Sequence, residues 1–391
     1  MVNEAVIVDA ARTAIGKFRG AFSDVRADHL GAGVLEAIRH RNSLESGSIN
    51  DVIFGCVTQV GEQSANVART ATLSAGWPDT VPGLTIDRKC GSSEVAVHVA
   101  ASLIASGTSD IIFAGGVENM SRVPMGSNRS IHGEAFGAKV LDHFEMTSQG
   151  EAAERIADKW GFSRGDLDDY AFESHRRAAE ASDSGRFDRE IVPVAVADWQ
   201  EPADEASDVT LASDETIRRT TTREKMSTLK TSFRPDGSVT AGNSSQISDG
   251  AAALLIMSAE KADTLGLKPR ARIRAAITVG SDPTLMLTGP IEATRQALAK
   301  AKLTLSDIDL YEINEAFAPV PLMWLNELNG SHDKLNVNGG AIALGHPLGA
   351  SGARLMTTLL HEMERQDATF GLQSMCCAGG MGTATIIERI A

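Results

Sequence analysis

Short β-branched runs alternate along the chain with stretches in which apolar residues return every three or four positions, the two periods that separate strands from helices. Near the start EAVIVDA reads as a strand, Leu30 to Ile38 as a helix and DVIFGCV as the next strand. LTIDRK follows as a strand. Then comes a helix from Gly91 to Ala105, with Val95, Val99 and Leu103 on one stripe and Gly107 at its end, and after it the strand DIIFAGG. The second half runs through the same order. ARIRAAI is a strand, Ile291 to Lys302 a helix, IDLYEIN and KLNVN strands, Ser351 to Glu364 a helix carrying Leu355, Leu359 and Met363, and TFGLQSM a strand. SINDVIFG at 48–55 and LSDIDLYEI at 305–313 share a pattern, and each follows a helix. A duplicated α/β unit is therefore expected, although any α/β chain resembles itself locally. Between the halves, the acidic DWQEPADEASD and the mixed ETIRRTTTREKMSTLK read as a loop-rich, strand-poor insertion on a rigid scaffold. The expected division is 1–119 with 249–269 as one half, 120–248 as the insert and 270–391 as the other half.

Composition narrows the function classes. With 391 residues, 42% of them hydrophobic and 23% charged, the chain suits a globular protein with more than one core. Its 37 basic and 51 acidic residues leave a net charge of −14, a field that repels nucleic acid and anionic membrane surfaces. No run approaches the roughly 18 apolar residues of a membrane span, and MVNEAVIVDA has no signal-peptide pattern, so a cytoplasmic protein is expected. The four cysteines, at 56, 90, 376 and 377, lack zinc-type spacing and read as reduced thiols; no metal is expected.

Those thiols are the candidate chemistry. Cys90 sits where a strand ends and a helix begins, near unpaired N–H groups and the positive end of the helix dipole, which lowers a thiol pKa. Gly91, Ser92 and Ser93 leave room for a substrate and supply capping oxygens. The same position also suits a buried cysteine packing as a small hydrophobe. In the matching turn of the second half, NGGAIALGHPLGASG, glycines crowd His346, a candidate base for a thiol or a structural histidine. Cys376, between TFGLQSM and AGGMG, is presented at a turn where N–H groups such as that of Ala378 can face an oxyanion. Its neighbour Cys377 is expected to point the other way, since adjacent strand residues face opposite sides. Asn314 ends a strand at the place Cys56 holds in the first half, and is either an amide donor to an oxyanion or a turn residue. Arg218, Arg219, Arg223, Lys225 and Lys230 form the one basic concentration, suited to phosphate esters or to a solvated face.

Taken together, CGSS at 90–93, AGNSSQISDGAA at 241–252, NEAFA at 314–318, NVNGGAIALGHPLGASGAR at 336–354 and CCAGGMG at 376–382 resemble the thiolases over nearly the whole chain. The resemblance implies a duplicated five-layered αβαβα core with an inserted loop domain. It implies transfer of an acyl group between a 3-ketoacyl-CoA and coenzyme A, with Cys90 as nucleophile, His346 as its base and Cys376 as acid and base for the carbon. Asn314, through a water, would form one oxyanion site with His346, and the N–H groups of Cys90 and Ala378 the other. Ser245 and Arg218 match positions near the pantetheine and nucleotide ends of coenzyme A, which would be a substrate rather than a bound cofactor. The family also implies a homodimer or homotetramer. Glu94 after CGSS, Ala378 where many members have Gly, Lys225 for a common serine and Gln149 for a common methionine depart from the pattern, and the last two put substrate size in question. CVTQVGEQSANVAR with Gln149 looks most like bacterial thiolases that degrade larger acyl or sterol-side-chain substrates. A biosynthetic acetoacetyl-CoA thiolase, a ketoacyl-synthase-like condensing enzyme and a non-catalytic acyl-CoA carrier are the alternatives, and the cysteine turn at 376 argues against the condensing enzyme.

Overall fold

The computed structural model describes residues 3–129, 131–200 and 207–390. Most of the acidic stretch of the insert, 201–206, lies outside them. Nine strands form the framework: β1 (Ala5–Thr13), β2 (Asp51–Gly55), β3 (Leu84–Ile86), β4 (Ile111–Asn119), β5 (Ser248–Ser258), β6 (Ala271–Gly280), β7 (Leu310–Ile313), β8 (Phe370–Cys377) and β9 (Met381–Arg389). Their order, β7-β8-β9-β6-β1-β5-β4-β2-β3, is a mirrored pair. From the centre outward, β1-β5-β4-β2 and β6-β9-β8-β7 each make two antiparallel pairings and then a parallel one. Both inner strands carry a register shift after their third residue, between Ile7 and Asp9 in β1 and between Ile273 and Ala275 in β6. A shared irregularity of that kind is hard to reach twice from unrelated sequences, so it identifies the halves as copies. The halves meet through a short antiparallel contact, Val6 with Arg272 and Ile7 with Ala271.

Helices cover both faces of each half. They are α1 (Ala27–Arg41), α2 (Val67–Ser74), α3 (Ser92–Ala105), α4 (Gln149–Trp160), α5 (Arg164–Asp183), α6 (Gly289–Ala301), α7 (Pro319–Leu328) and α8 (Ser351–Gln366). Alternate strand residues divide between two cores. Val6, Phe113 and Leu255 pack outward on Leu30, Val34 and Ile38 of α1, while Ile7, Ile112 and Leu254 pack inward with Ala100 of α3 and Met356 and Leu360 of α8. On the other outer face Ala275, Ile386 and Leu372 pack with Ala293 and Ala297 of α6. The layers are thus helix, sheet, paired central helices, sheet, helix. Burial on both faces explains the unbroken apolar runs of β4 and β5, each large side chain contributing roughly 1.5–3 kcal/mol.

Three sequence expectations change. Of the stripe Val95, Val99 and Leu103 only Val95 is buried; the fully buried apolar face of α3 is Ala96, Val97, Ala100 and Ile104, with alanines where a second helix and a sheet pack close. KLNVN is not a strand. Only Leu335 bridges Tyr311, and Asn336, at φ +43°, breaks the extension. Its side-chain amide takes the place of the missing ladder, accepting from the Ile313 N–H at 2.9 Å and donating to the Ile313 carbonyl at 2.9 Å. The insert is poor in strands but not simply loop, since α4 and the 20-residue α5 lie within it, begun by Ser148 and by a Ser163–Asp166 capping box.

Candidate active site

Three turns converge. Cys90 follows Lys89, whose φ of +52° swings the chain from β3 toward the start of α3. Ser92 and Ser93 do not cap α3. Ser92 Oγ accepts from the Arg88 N–H and donates to the Lys89 carbonyl, and Ser93 Oγ accepts from the Ala353 N–H at 2.9 Å, tying α3 to the first turn of α8. The turn bearing His346 enters from the other half, and its approach depends on glycine. A Cβ on Gly349 would lie 2.5 Å from the carbonyl oxygens of Gly55 and Val117, and one on Gly116 2.0 Å from the Gly349 oxygen. Glu118, buried at the end of β4, holds this contact by accepting from the N–H groups of Val57, Thr58 and Gly349, each at 2.9 Å. The insert supplies the third wall: the Gln246 carbonyl accepts from the His346 N–H at 3.0 Å, and Ser245 N–H donates to the Ala316 carbonyl at 2.9 Å.

The chemistry of each group follows from burial. Ser351 Oγ donates to the Pro347 carbonyl at 2.8 Å, so it is left to accept from Nδ1–H of His346 at 2.6 Å. That assigns the tautomer: Nε2 carries the free lone pair, and it is buried without a partner among the described residues. Burial, with Arg354 nearby, lowers the His346 pKa to about 3, so the ring is a neutral base. The sequence expectation for Cys90 reverses. Burial pushes its thiol up to about 11, outweighing the Ala378 and Cys90 N–H groups that point at the sulfur and lower it. Cys376 is raised further, by burial and then by the nearby Cys90 sulfur, against an Asn314 Nδ2 contact at 3.9 Å that lowers it. The Asn314 Oδ1 has no partner among the described residues.

Two cavities meet at this point. One of 160 Å³ is lined by Cys90, His346, Ser245 and Gln246, and one of 380 Å³ by Cys90, Val57, Phe136, Met286 and Ala378. Gln149, at the start of α4, lines both. Arg218 stands at the rim, its Nη2 3.4 Å from Gln246 Oε1. Lys225 lines neither cavity and donates to the Thr220 carbonyl. Elsewhere in the basic run Arg219 and Arg223 are tied to Asp183 and Asp169 of α5, so the run is a weaker phosphate surface than its composition suggests. Cys377 also lines neither cavity; the Gly91 N–H points at its sulfur, which a Cβ on Gly91 would approach to 2.7 Å. Sequence reasoning missed Glu118 and Ser351. A carboxylate closing the apolar run IIFAGGVEN was the available signal for the first.

The two halves use one location differently. Gly55 pairs with Gly116 and Ile313 with Ser374, so Cys56 with Glu118 corresponds to Asn314 with Cys376. Cys56 Sγ lies 3.9 Å from Glu118 Oε1, matching the 3.9 Å between Asn314 Nδ2 and Cys376 Sγ. One copy clamps a turn; the other sets a buried thiol, which lines neither cavity, near the Cys90 sulfur.

Residues 5–260 match the family model "Thiolase, N-terminal domain" and residues 267–389 match "Thiolase, C-terminal domain". The chain belongs to the thiolase family. Its relatives include the steroid 3-ketoacyl-CoA thiolase FadA6 of Mycobacterium tuberculosis, 44% identical, covering 100% of this chain and 95% of that protein. A 3-ketoacyl-CoA thiolase of Klebsiella pneumoniae is 47% identical with both chains covered at 100%. The crystal structure of the Bacillus anthracis acetyl-CoA acetyltransferase superposes with a TM-score of 0.90 at 40% identity, covering 100% of this chain and 99% of that one.

For this thiolase the resting pair is neutral thiol and neutral imidazole, which has a measurable consequence. A thiol raised in the folded state stays protonated through the ordinary range near 8.5 and loses its proton only as pH climbs toward about 11. Alkylation of Cys90 by iodoacetamide, followed by mass spectrometry in the free enzyme, should therefore stay slow through pH 8 and keep rising above pH 9. A plateau reached below pH 7 would mean a resting thiolate–imidazolium pair instead of the neutral one.

Proposed function

We propose that the protein is a 3-ketoacyl-CoA thiolase that works through an acyl-enzyme on Cys90. The observation that carries the reading is the junction of the two cavities, where a thiol touched by the Ala378 N–H shares its space with a histidine whose Nε2 lone pair is free, beside a second buried thiol. His346 Nε2 takes the Cys90 proton as the sulfur adds to the 3-keto carbon. The developing oxyanion is met by preorganised donors. The C2–C3 bond breaks, Cys376 protonates the acetyl-CoA enolate at C2, and the acyl group remains on Cys90. Cys376 regains a proton from the imidazolium. Neutral His346 then relays the thiol proton of coenzyme A to the departing Cys90 sulfur as coenzyme A takes the acyl group. Run backwards, the same steps make a carbon–carbon bond, and mass action sets the direction. Asn314 serves one oxyanion site with His346, and the N–H groups of Cys90 and Ala378 serve the other. Ser245, Gln149 and Arg218 line the coenzyme A path, with Lys225 peripheral to it.

The 380 Å³ cavity at Cys90 is lined beyond the thiol by Val57, Phe136 and Met286, apolar walls suited to an acyl chain. That lining favours degradation of fatty-acyl or sterol-side-chain substrates over acetoacetyl-CoA alone. Coenzyme A enters as a substrate, with no permanent cofactor required. Three further elements belong to the proposal: division at 1–119 plus 249–269, 120–248 and 270–391, supported by the mirrored strand order; assembly as a homodimer or homotetramer; and a cytoplasmic location, consistent with four free cysteines. Among the described residues no helix is long and apolar enough to cross a membrane. The test is coenzyme A-dependent loss of 3-ketoacyl-CoA esters from acetoacetyl to sterol-sized, with mass spectrometry locating the adduct. Longer esters should be cleaved better than acetoacetyl-CoA, with the acyl group on Cys90. Saturable binding with no thiolysis of any ester would leave a carrier instead.

A further inference from the structure

The larger cavity has a charge pattern that thiolysis of a plain acyl chain does not require. The two cavities share Cys90, Met125, Gln149, Phe233, Phe317 and Leu348. The smaller one continues along Ser244–Ile247 to Gln246, which meets Arg218, and so leads toward the basic surface suited to coenzyme A phosphates. The larger one leads elsewhere, past Val57 and Phe136 to Asn128 and Arg129, which it shares with an adjoining surface cleft of 470 Å³. Its walls are otherwise mostly apolar. Although the chain carries 51 acidic residues against 37 basic ones, the lining contains, among the described residues, no carboxylate and two cations, Lys89 and Arg129. Lys89 Nζ is held by Asp87 at 2.5 Å. Arg129 has no carboxylate or hydrogen-bond partner for its guanidinium among the described residues, unlike Arg122 nearby, which is paired with Glu62. Asn128 fixes the base of this corner, its Nδ2 donating to the Val57 carbonyl at 3.2 Å.

Building on the thiolase reading, we infer that the acyl groups this protein accepts carry a carboxylate at the end remote from the thioester, bound by the Arg129 guanidinium. The apolar walls take the methylenes or ring carbons between. The planar fork of arginine suits a carboxylate better than a point charge does, and its position at the outer edge of the cavity sets a length as well as a charge requirement. Such a substrate would come from a reaction class that opens a ring or oxidises a terminal carbon to the acid before the 3-keto group is formed.

The experiment compares two 3-ketoacyl-CoA esters of equal chain length, one ending in methyl and one in carboxylate, with the wild-type protein and with Arg129→Gln and Arg129→Lys. Wild type should favour the carboxylate ester in kcat/KM by roughly tenfold, the size of one charged hydrogen-bonded contact at a partly exposed site. The preference should reside in KM, collapse to a ratio of about one in Arg129→Gln and be partly kept in Arg129→Lys. Arg129 is exposed, so both variants should fold as the parent does. Cleavage of the methyl ester with no carboxylate preference, or a preference that survives in Arg129→Gln, overturns this inference and leaves the thiolase reading standing. Cleavage of neither ester overturns both.

Discussion

Cys90→Ala is expected to abolish the covalent acyl adduct and to lower thiolysis by at least about 10⁴-fold, because no other group at the cavity junction can accept the acyl carbon. Cys376 is held further from ionisation than Cys90, and in the proposed mechanism the Nε2 of His346 is occupied with proton transfer. The substitution removes only a small side chain that packs with Val57, Leu348 and Met375, so folding should be retained and substrate binding should survive. Intact-mass spectrometry after mixing with acetyl-CoA, alongside a thiolysis assay, measures both halves of the expectation. An adduct persisting in Cys90→Ala would place the nucleophile elsewhere.

The second large effect separates the two sulfurs. Cys376→Ala should slow carbon–carbon cleavage by about 10²–10⁴-fold, the usual contribution of one positioned acid or base. Acyl loading should be much less affected, since it needs only Cys90 and His346. Exchange of labelled coenzyme A into acetyl-CoA reports loading without any C–C step, and thiolysis reports both. The raised pKa of Cys376 keeps its proton in place until the enolate, a far stronger base than the thiolate, forms beside it. Equal losses in exchange and thiolysis would show that Cys376 acts before cleavage and is not the proton donor to the enolate.

Much of the arrangement is legible in the chain because its cause is local. Alternating and helical periods reflect one-residue geometry, so β1, β4, α1, α6 and α8 are found from the pattern, and the shared phrasing of SINDVIFG and LSDIDLYEI anticipates equivalent strands, each preceded by a short 3₁₀ turn. KLNVN misleads for the converse reason. Its apolar–polar alternation is that of a strand, but a side-chain amide of Asn336 fills the ladder position, and no local period registers that substitution. The stripe on α3 misleads because a helix between two packed layers is judged by the space available, which favours Ala96 and Ala100 over Val99 and Leu103.

By itself the sequence determined which groups are candidates for the chemistry: two thiols, an imidazole and an amide, the first three close to glycines that let backbones approach. Tertiary structure alone decided their protonation and company. Burial overrides the helix dipole and turns Cys90 from an expected thiolate into a protonated thiol, because removing a charge from water costs more than a few N–H groups return. Only the folded chain brings Ser351 to His346 and Glu118 to Gly349, and only it places Arg129 on the cavity wall while leaving Lys225 outside. Such pairings join residues far apart in the chain through the packing of two copied halves, a relation that no local pattern encodes.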